Sequence, residues 1–255
     1  MNTNKLKEQL KQKKPAIGSF VRMNSISVEI LGLTGWDFVI IDAEHGVHTM
    51  EDVSNMIRAA KAVGITSIVR VPGTEPNLIQ RSLDGGAEGV QIPQITNLKQ
   101  LKDAVSAARY YPKGNRGACA YSAATGYSTT PFQDHINTSN DEVLVVVHVE
   151  NAWSADHIEE ILDVGGIDVI FCGPWDMSQS LGIPGQVTAP EVVNRIDKVI
   201  STCRDRGIST GIFVQQPEQA EIWIKRGVSY LAGSVDVGIY AEASKKFAAD
   251  MKAYI

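Results

Sequence analysis

The chain has 255 residues, 24 Lys and Arg against 29 Asp and Glu, and a net charge of −5. A chain of this length buries about three quarters of its unfolded surface in one fold, and 44% hydrophobic with 21% charged residues excludes extensive disorder. The acidic balance argues against general nucleic-acid binding, and apolar runs such as Phe38–Ile41 and Val143–Val147 fall far short of the ~20 residues of a membrane-spanning helix.

The amino end is polar, without the pattern of a secretory signal. Its cluster Lys5, Lys7, Lys11, Lys13 and Lys14 reads as a solvated first helix and loop. From there one alternation repeats: a short β-branched or apolar run, then a helical pattern. The runs are Ala16–Met23, Trp36–Asp42, Thr66–Val71, Gly89–Pro93, Val143–Val149, Ile167–Cys172, Gly207–Phe213 and Tyr230–Ala232. The helical patterns lie near Ser27–Leu33, after Asp42, at Pro76–Leu83, Leu98–Arg109, Ala152–Leu162, Pro190–Arg206, Gln216–Lys225 and from Val237. In the second of these, Val53, Met56, Ile57 and Ala60 form one apolar stripe. Tyr111 to about Pro131 reads as a long irregular stretch. Cys119, Cys172 and Cys203 are widely spaced and odd in number, which points to free thiols in a reducing cytoplasm.

Eight strands separated by helices must pair in parallel, because each crossover returns the chain to the same end. In about 250 residues that is the arithmetic of a (β/α)₈ barrel, one domain over 1–255. A doubly wound sheet would announce itself with a GxGxxG turn after the first strand. The Gly85, Gly86, Gly89 group follows a helix instead.

Barrel chemistry sits on the loops at the carboxyl ends of the strands, and polar residues recur there. Asp42 ends the second strand, with Glu44, His45 and His48 in its loop. Arg70 ends the third, His148 and Glu150 the fifth, and Gly173, Pro174 and Asp176 follow the sixth. Glu150 and Asp176 are 26 residues apart, about one βαβ step, so neighbouring strands bring both carboxylates to one rim. Each residue also has a plainer reading. Asp42 can cap the next turn, Asp176 can N-cap a short helix Met177–Leu181, and Arg70 can pair with a structural carboxylate.

Two carboxylates with room for water suit Mg²⁺ or Mn²⁺. Arg70 beside such an ion would stabilise a developing oxyanion, and His45, next to Asp42, is a candidate general base. A Schiff-base mechanism needs a Lys at a strand end. Lys61, Lys99, Lys102, Lys198 and Lys225 fall in helices and Lys113 in the irregular stretch.

Trp36–Gly46 (WDFVIIDAEHG), Val69–Pro72 (VRVP), Tyr111–Gly117 (YYPKGNRG), His148–Glu150 (HVE) and Gly173–Ser178 (GPWDMS) carry a family resemblance. Over nearly its whole length the chain resembles the HpcH/HpaI family of metal-dependent, pyruvate-forming aldolases. The resemblance implies a class II aldolase that reversibly cleaves a 4-hydroxy-2-oxo acid to pyruvate and an aldehyde through a metal-stabilised pyruvate enolate. It implies Glu150 and Asp176 as ligands of Mg²⁺, Mn²⁺ or Co²⁺, and the backbone at Trp175 and Asp176, after Gly173, as the grip on the pyruvate carboxylate. Arg70 takes the enolate-stabilising position and His45 the proton-handling one. Asp42 and Asp84 match carboxylates that orient that histidine or raise its basicity. A homo-oligomer, a hexamer in this family, is also implied.

Three positions and the stretch Cys119–Tyr127 depart from the family pattern. His148 stands where Gln is common, and it points the same way as Glu150 two residues on, toward substrate or metal. Trp175 replaces a small residue, and Phe213 an aliphatic one in the aldehyde pocket. Related enolate chemistry, such as oxaloacetate decarboxylation or CoA-ester cleavage, is the alternative. A CoA lyase would want phosphate anchors, for which only Lys113 and Arg116 are at hand. A non-catalytic keto-acid-binding barrel would require loss of the base or the ligands, and all of them are present.

Overall fold

The computed structural model describes residues 3–255. Eight parallel strands close into a barrel in sequence order: β1 (Ala16–Val21), β2 (Phe38–Asp42), β3 (Thr66–Arg70), β4 (Gly89–Ile92), β5 (Leu144–Val149), β6 (Val169–Cys172), β7 (Ser209–Val214) and β8 (Tyr230–Val235). All eight expected runs are strands; seven of their ends are trimmed by one or two residues, β7 and β8 run on to Val214 and Val235, and every crossover contains helix.

The period-two alternation of a strand sorts the side chains into two cores. Val39 and Ile41 of β2, Val69 of β3, and Val145, Val147 and Val149 of β5 pack outward under the helices. Phe38, Ile40, Ile68, Leu144, Val146, Val169, Phe171 and Tyr230 fill the barrel interior. Small residues make room for large ones inside: a Cβ on Gly18 would lie 2.2 Å from the Phe38 ring. Continuing the inward series of β2 to β5 toward the carboxyl end replaces apolar residues with polar ones. Phe38 and Ile40 lead to Asp42, Ile68 to Arg70, Gly89 to Gln91, and Leu144 and Val146 to His148 and Glu150. The same periodicity that builds the core thus delivers the chemistry to one mouth.

The opposite mouth is plugged by the helix Lys5–Lys11, whose Leu6 and Leu10 join the interior core. This corrects the expectation of a wholly solvated lysine cluster. Lys7 is buried, and its Nζ donates to the Val143 carbonyl at 3.1 Å and pairs with Asp168 at 2.9 Å. A cavity of about 520 Å³ opens beside it, but Asp168 is already neutralised there by Lys7 and by Arg109 at 3.0 Å.

Two further differences concern helices. Phe132–Glu142 is helical, where no apolar stripe marked a helix, because the face it buries is polar: His135, Ser139 and Asn140. The helix expected over Ala152–Leu162 is two short ones, Ala152–Asp156 and Ile158–Asp163, meeting at His157.

Candidate active site

A cleft of about 260 Å³ occupies the carboxyl mouth, with Asp42, His45, Arg70, His148, Glu150, Gly173, Trp175, Asp176 and Phe213 among its walls. Nine of the ten site residues expected from sequence therefore converge. The tenth, Asp84, ends the helix Pro76–Asp84 and does not line this cleft. Its carboxylate accepts from Arg116 NH2 at 2.6 Å, in a layer beneath the 111–131 loop, so within this chain it orients no histidine.

Asp42 and Arg70 face each other across register-paired positions of β2 and β3. Arg70 Nε donates to Asp42 Oδ1 at 2.9 Å and NH2 to Oδ2 at 2.7 Å, while NH1 lies 3.1 Å from Glu44 Oε2. The guanidinium also stacks 4.6 Å over the Phe20 ring. Three of its five N–H groups are thus spoken for and the planar fork is fixed, leaving two donors for an oxyanion. Asp42 is 1% exposed. Burial alone raises its pKa, but the Arg70 hydrogen bonds and charge outweigh that and hold the carboxyl below its usual value. Both plain readings were partly right. Arg70 does pair with a carboxylate, and Asp42 Oδ1 does cap the turn, accepting from the backbone N–H of Glu44 at 3.2 Å and of His45 at 3.1 Å.

That arrangement corrects the expected partnership of Asp42 with the His45 ring. Asp42 spends its oxygens on Arg70 and on backbone amides. The imidazole instead stands 57% exposed, with Nε2 3.8 Å from Glu44 Oε2. The His45 carbonyl accepts from Arg22 NH2, which ties the loop to the end of β1.

Across the cleft, Glu150 is nearly buried. Its Oε1 accepts from the backbone N–H of Gln94 at 2.7 Å, and Oε2 lies 2.6 Å from His148 Nδ1. Burial pushes its pKa up, but the hydrogen bonds from His148 and the Gln94 amide, with the Arg70 charge, hold it below the usual carboxylate value. Gln94 holds φ at 58°, a left-handed conformation costly for a non-glycine residue, and that conformation aims its amide at Glu150. Asp176 is in the first turn of the helix Pro174–Ser180, three residues past its Gly173 cap position, so it does not N-cap a helix as considered. Burial and then the negative charge of Glu150 raise its pKa. The two carboxylates repel each other, which is what a cation between them would relieve.

The donor set fits a hard divalent ion. Both side chains offer oxygen, and Gly173 keeps the space beside them clear: a Cβ there would sit 2.7 Å from Glu150 Cβ and 3.1 Å from Oε2. Among the described residues no group of three or more His, Cys, Asp and Glu makes a full cage. Two carboxylates with remaining positions left to water and substrate are the usual pattern for Mg²⁺ and similar ions.

His148 differs from expectation in detail. Nδ1 faces Glu150, and Nε2 is 2.7 Å from Gln91 Nε2. With both nitrogens engaged and the ring stacked 4.8 Å from Phe171, it offers the cleft no free hydrogen-bonding atom. Trp175 and Phe213 line the outer wall, the indole half-exposed. Sequence reading missed Arg22, Gln91 and Gln94. Arg22 lies two residues past inward-facing Phe20, and Gln91 is the one polar residue within β4, so both were within reach of the alternation. Gln94 carried no such signal.

Comparison with known proteins agrees with this geometry. Residues 17–243 match the family model for HpcH/HpaI aldolase/citrate lyase. A 5-keto-4-deoxy-D-glucarate aldolase from Klebsiella pneumoniae is 31% identical over 96% of this chain and 95% of its own. A 2-keto-3-deoxy-L-rhamnonate aldolase from Escherichia coli O157:H7 is 34% identical over 94% of this chain and 90% of its own. The crystal structure of an HpcH/HpaI aldolase/citrate lyase family protein from Burkholderia cenocepacia superposes with a TM-score of 0.92 at 30% identity, covering 98% of this chain and all of that one (100%). With strand-end motifs, barrel and relatives in agreement, the chain belongs to the HpcH/HpaI aldolase/citrate lyase family.

Proposed function

We propose that the protein is a divalent-metal-dependent aldolase that cleaves a 4-hydroxy-2-oxo acid, of the keto-deoxy sugar acid class, to pyruvate and an aldehyde. One observation carries this reading: a fixed Arg70 fork and the carboxylate pair Glu150 and Asp176 line the same small cleft, as enolate chemistry requires. Glu150 and Asp176 would hold the ion, Mg²⁺, Mn²⁺ or Co²⁺, which supplies Lewis-acid polarisation of the keto group.

This chain's residues do the rest. The backbone N–H groups of Trp175 and Asp176, in the first helical turn and so without intrahelical acceptors, take the substrate carboxylate. His45, exposed at the rim, accepts the C4 hydroxyl proton. The C3–C4 bond then breaks, its electron pair forming the enolate of pyruvate while C4 leaves as the aldehyde carbonyl. The two open N–H groups of Arg70 meet the oxygen that gains charge. Protonation at C3 completes pyruvate. Trp175 and Phe213 would contact the aldehyde half.

CoA-ester cleavage loses its anchors, because Lys113 pairs with Asp141 at 2.6 Å and Arg116 with Asp84 at 2.6 Å. The chain works as a homo-oligomer, a reading supported by its last helix, Asp236–Lys252. Only Asp236 of that helix is buried, and Tyr240, Phe247 and Met251 are exposed. Its three free thiols suit a reducing cytoplasm. The direct test is pyruvate release from a panel of 4-hydroxy-2-oxo acids. Release that stops with EDTA and returns with Mn²⁺ is expected; release indifferent to EDTA, or none from any member, overturns the reading.

A further inference from the structure

Behind the cleft a buried chain of polar groups runs across the barrel interior and ends on Glu150. Tyr230 Oη donates to Gln91 Oε1 at 3.0 Å, Gln91 Nε2 is 2.7 Å from His148 Nε2, and His148 Nδ1 is 2.6 Å from Glu150 Oε2. The three residues come from β8, β4 and β5, and none has meaningful exposure: Tyr230 and Gln91 are at 0% and His148 at 2%. Polar groups this deep persist only when each finds its partner, and here every link has one.

The polarity of the chain is set from its far end. The phenol proton points at the carboxamide oxygen, so the amide NH₂ faces the imidazole. Nε2 must then accept, Nδ1 must carry the hydrogen, and that hydrogen goes to Glu150. Phe38, 4.2 Å from the Tyr230 ring, and Phe171, stacked on His148, hold the rings in place. We propose that Tyr230, Gln91 and His148 are positioning residues: by fixing one imidazole tautomer they orient the Glu150 carboxylate and so set the affinity of the site for a divalent cation. Groups that hydrogen-bond a metal's ligands orient them in this way, and their loss costs about 10–100-fold in affinity.

The inference rests on Glu150 being a cation ligand, and the experiment separates the two. Mn²⁺ binding is measured by electron paramagnetic resonance on the full-length protein, as parent, Tyr230→Phe and Glu150→Gln. Tyr230→Phe removes one oxygen that lies outside the cleft and keeps the ring. Binding about 10-fold weaker than the parent is expected for it, and severe loss for Glu150→Gln. ¹⁵N spectra of the imidazoles, assigned with His148→Gln, should show His148 protonated at Nδ1 alone in the parent and a mixture of tautomers in Tyr230→Phe. A role in packing alone would lower the melting temperature and leave that signature unmoved. If Tyr230→Phe binds Mn²⁺ as the parent does while Glu150→Gln does not, the relay is refuted and the ligand assignment stands. If Glu150→Gln itself binds normally, the ligand assignment falls and the relay with it. Should Tyr230→Phe fail to fold, Gln91→Leu provides the second variant. Its side chain fills a similar volume and offers Nε2 neither donor nor acceptor, so unchanged Mn²⁺ affinity there also refutes the relay.

Discussion

Arg70 shows how one side chain reconciles structural and chemical duties. Two of its nitrogens clamp Asp42, a third meets Glu44, and the Phe20 ring backs the plane. On the proposed mechanism the remaining donors would meet the keto oxygen more strongly as it approaches full negative charge than in bound pyruvate, so their effect would fall on the barrier. Arg70→Ala should lower kcat by about 10²–10³-fold with a much smaller change in KM, by analogy with a lost oxyanion donor. Lys should restore little, because a flexible point charge lacks the planar fork. Steady-state kinetics on the best substrate decide this; a variant that loses only affinity makes Arg70 an anchor. The convergence of Asp42, Arg70, Glu150 and Asp176 on one cleft was legible because each sits in a short motif at a strand end. What was not legible was how their hydrogen bonds are shared out. Sequence places Asp42 three residues from His45 but does not say whether it holds the ring or the backbone amide, and the competition with Arg70 decides that.

At the scale of elements, strands were easier to read than helices. β2 and β5 are buried along their whole length, and such apolar runs are unmistakable. The helix Phe132–Glu142 was invisible because it buries His135, Ser139 and Asn140, where an apolar stripe would have shown a period. That same burial makes it acid-labile. Burial and then the nearby Arg116 charge lower the His135 pKa from 6.5 to about 4. A group whose folded-state pKa is depressed contributes stability above its unfolded value and loses it as pH falls, here between 6.5 and 4. Urea unfolding should therefore show stability declining across that window, by up to about 1.4 kcal/mol per pH unit from one proton. His135→Gln should flatten that decline, and an unaltered slope in the variant would place the acid sensitivity elsewhere. The helix Asp236–Lys252 poses the reverse case. It formed where expected but buries one residue of its own chain, and Phe247 is left 68% exposed. Covering a Phe is worth about 1.5–3 kcal/mol, so Phe247→Asp should raise the dissociation constant of the proposed homo-oligomer at least 10-fold. Sedimentation velocity at low micromolar concentration would show a lighter species; an unchanged sedimentation coefficient would take this helix out of the interface.

Taken whole, the molecule is a packed interior with one reactive end. The inward series of eight strands build an apolar column from Leu6 and Leu10 at the base to Phe20 and Phe171 beneath the cleft, and the next inward positions of β1, β2, β3 and β5 are Arg22, Asp42, Arg70 and His148. The barrel could be counted from the alternation alone, since eight repeats leave few other closures. Which strand end faced which was fixed by closure and register, facts of three dimensions that no single stretch of chain contains. The central claim is that this end generates the enolate of pyruvate with a divalent ion. The most direct measurement is proton NMR of pyruvate in D₂O with the protein and Mg²⁺, because exchange of the methyl protons needs the enolate and no aldehyde. The methyl signal should decay with Mg²⁺, and that decay should stop with EDTA and be strongly slowed in Arg70→Ala. Pyruvate that binds but keeps its methyl protons with Mg²⁺, Mn²⁺ and Co²⁺ alike would contradict it and make the barrel a keto-acid receptor.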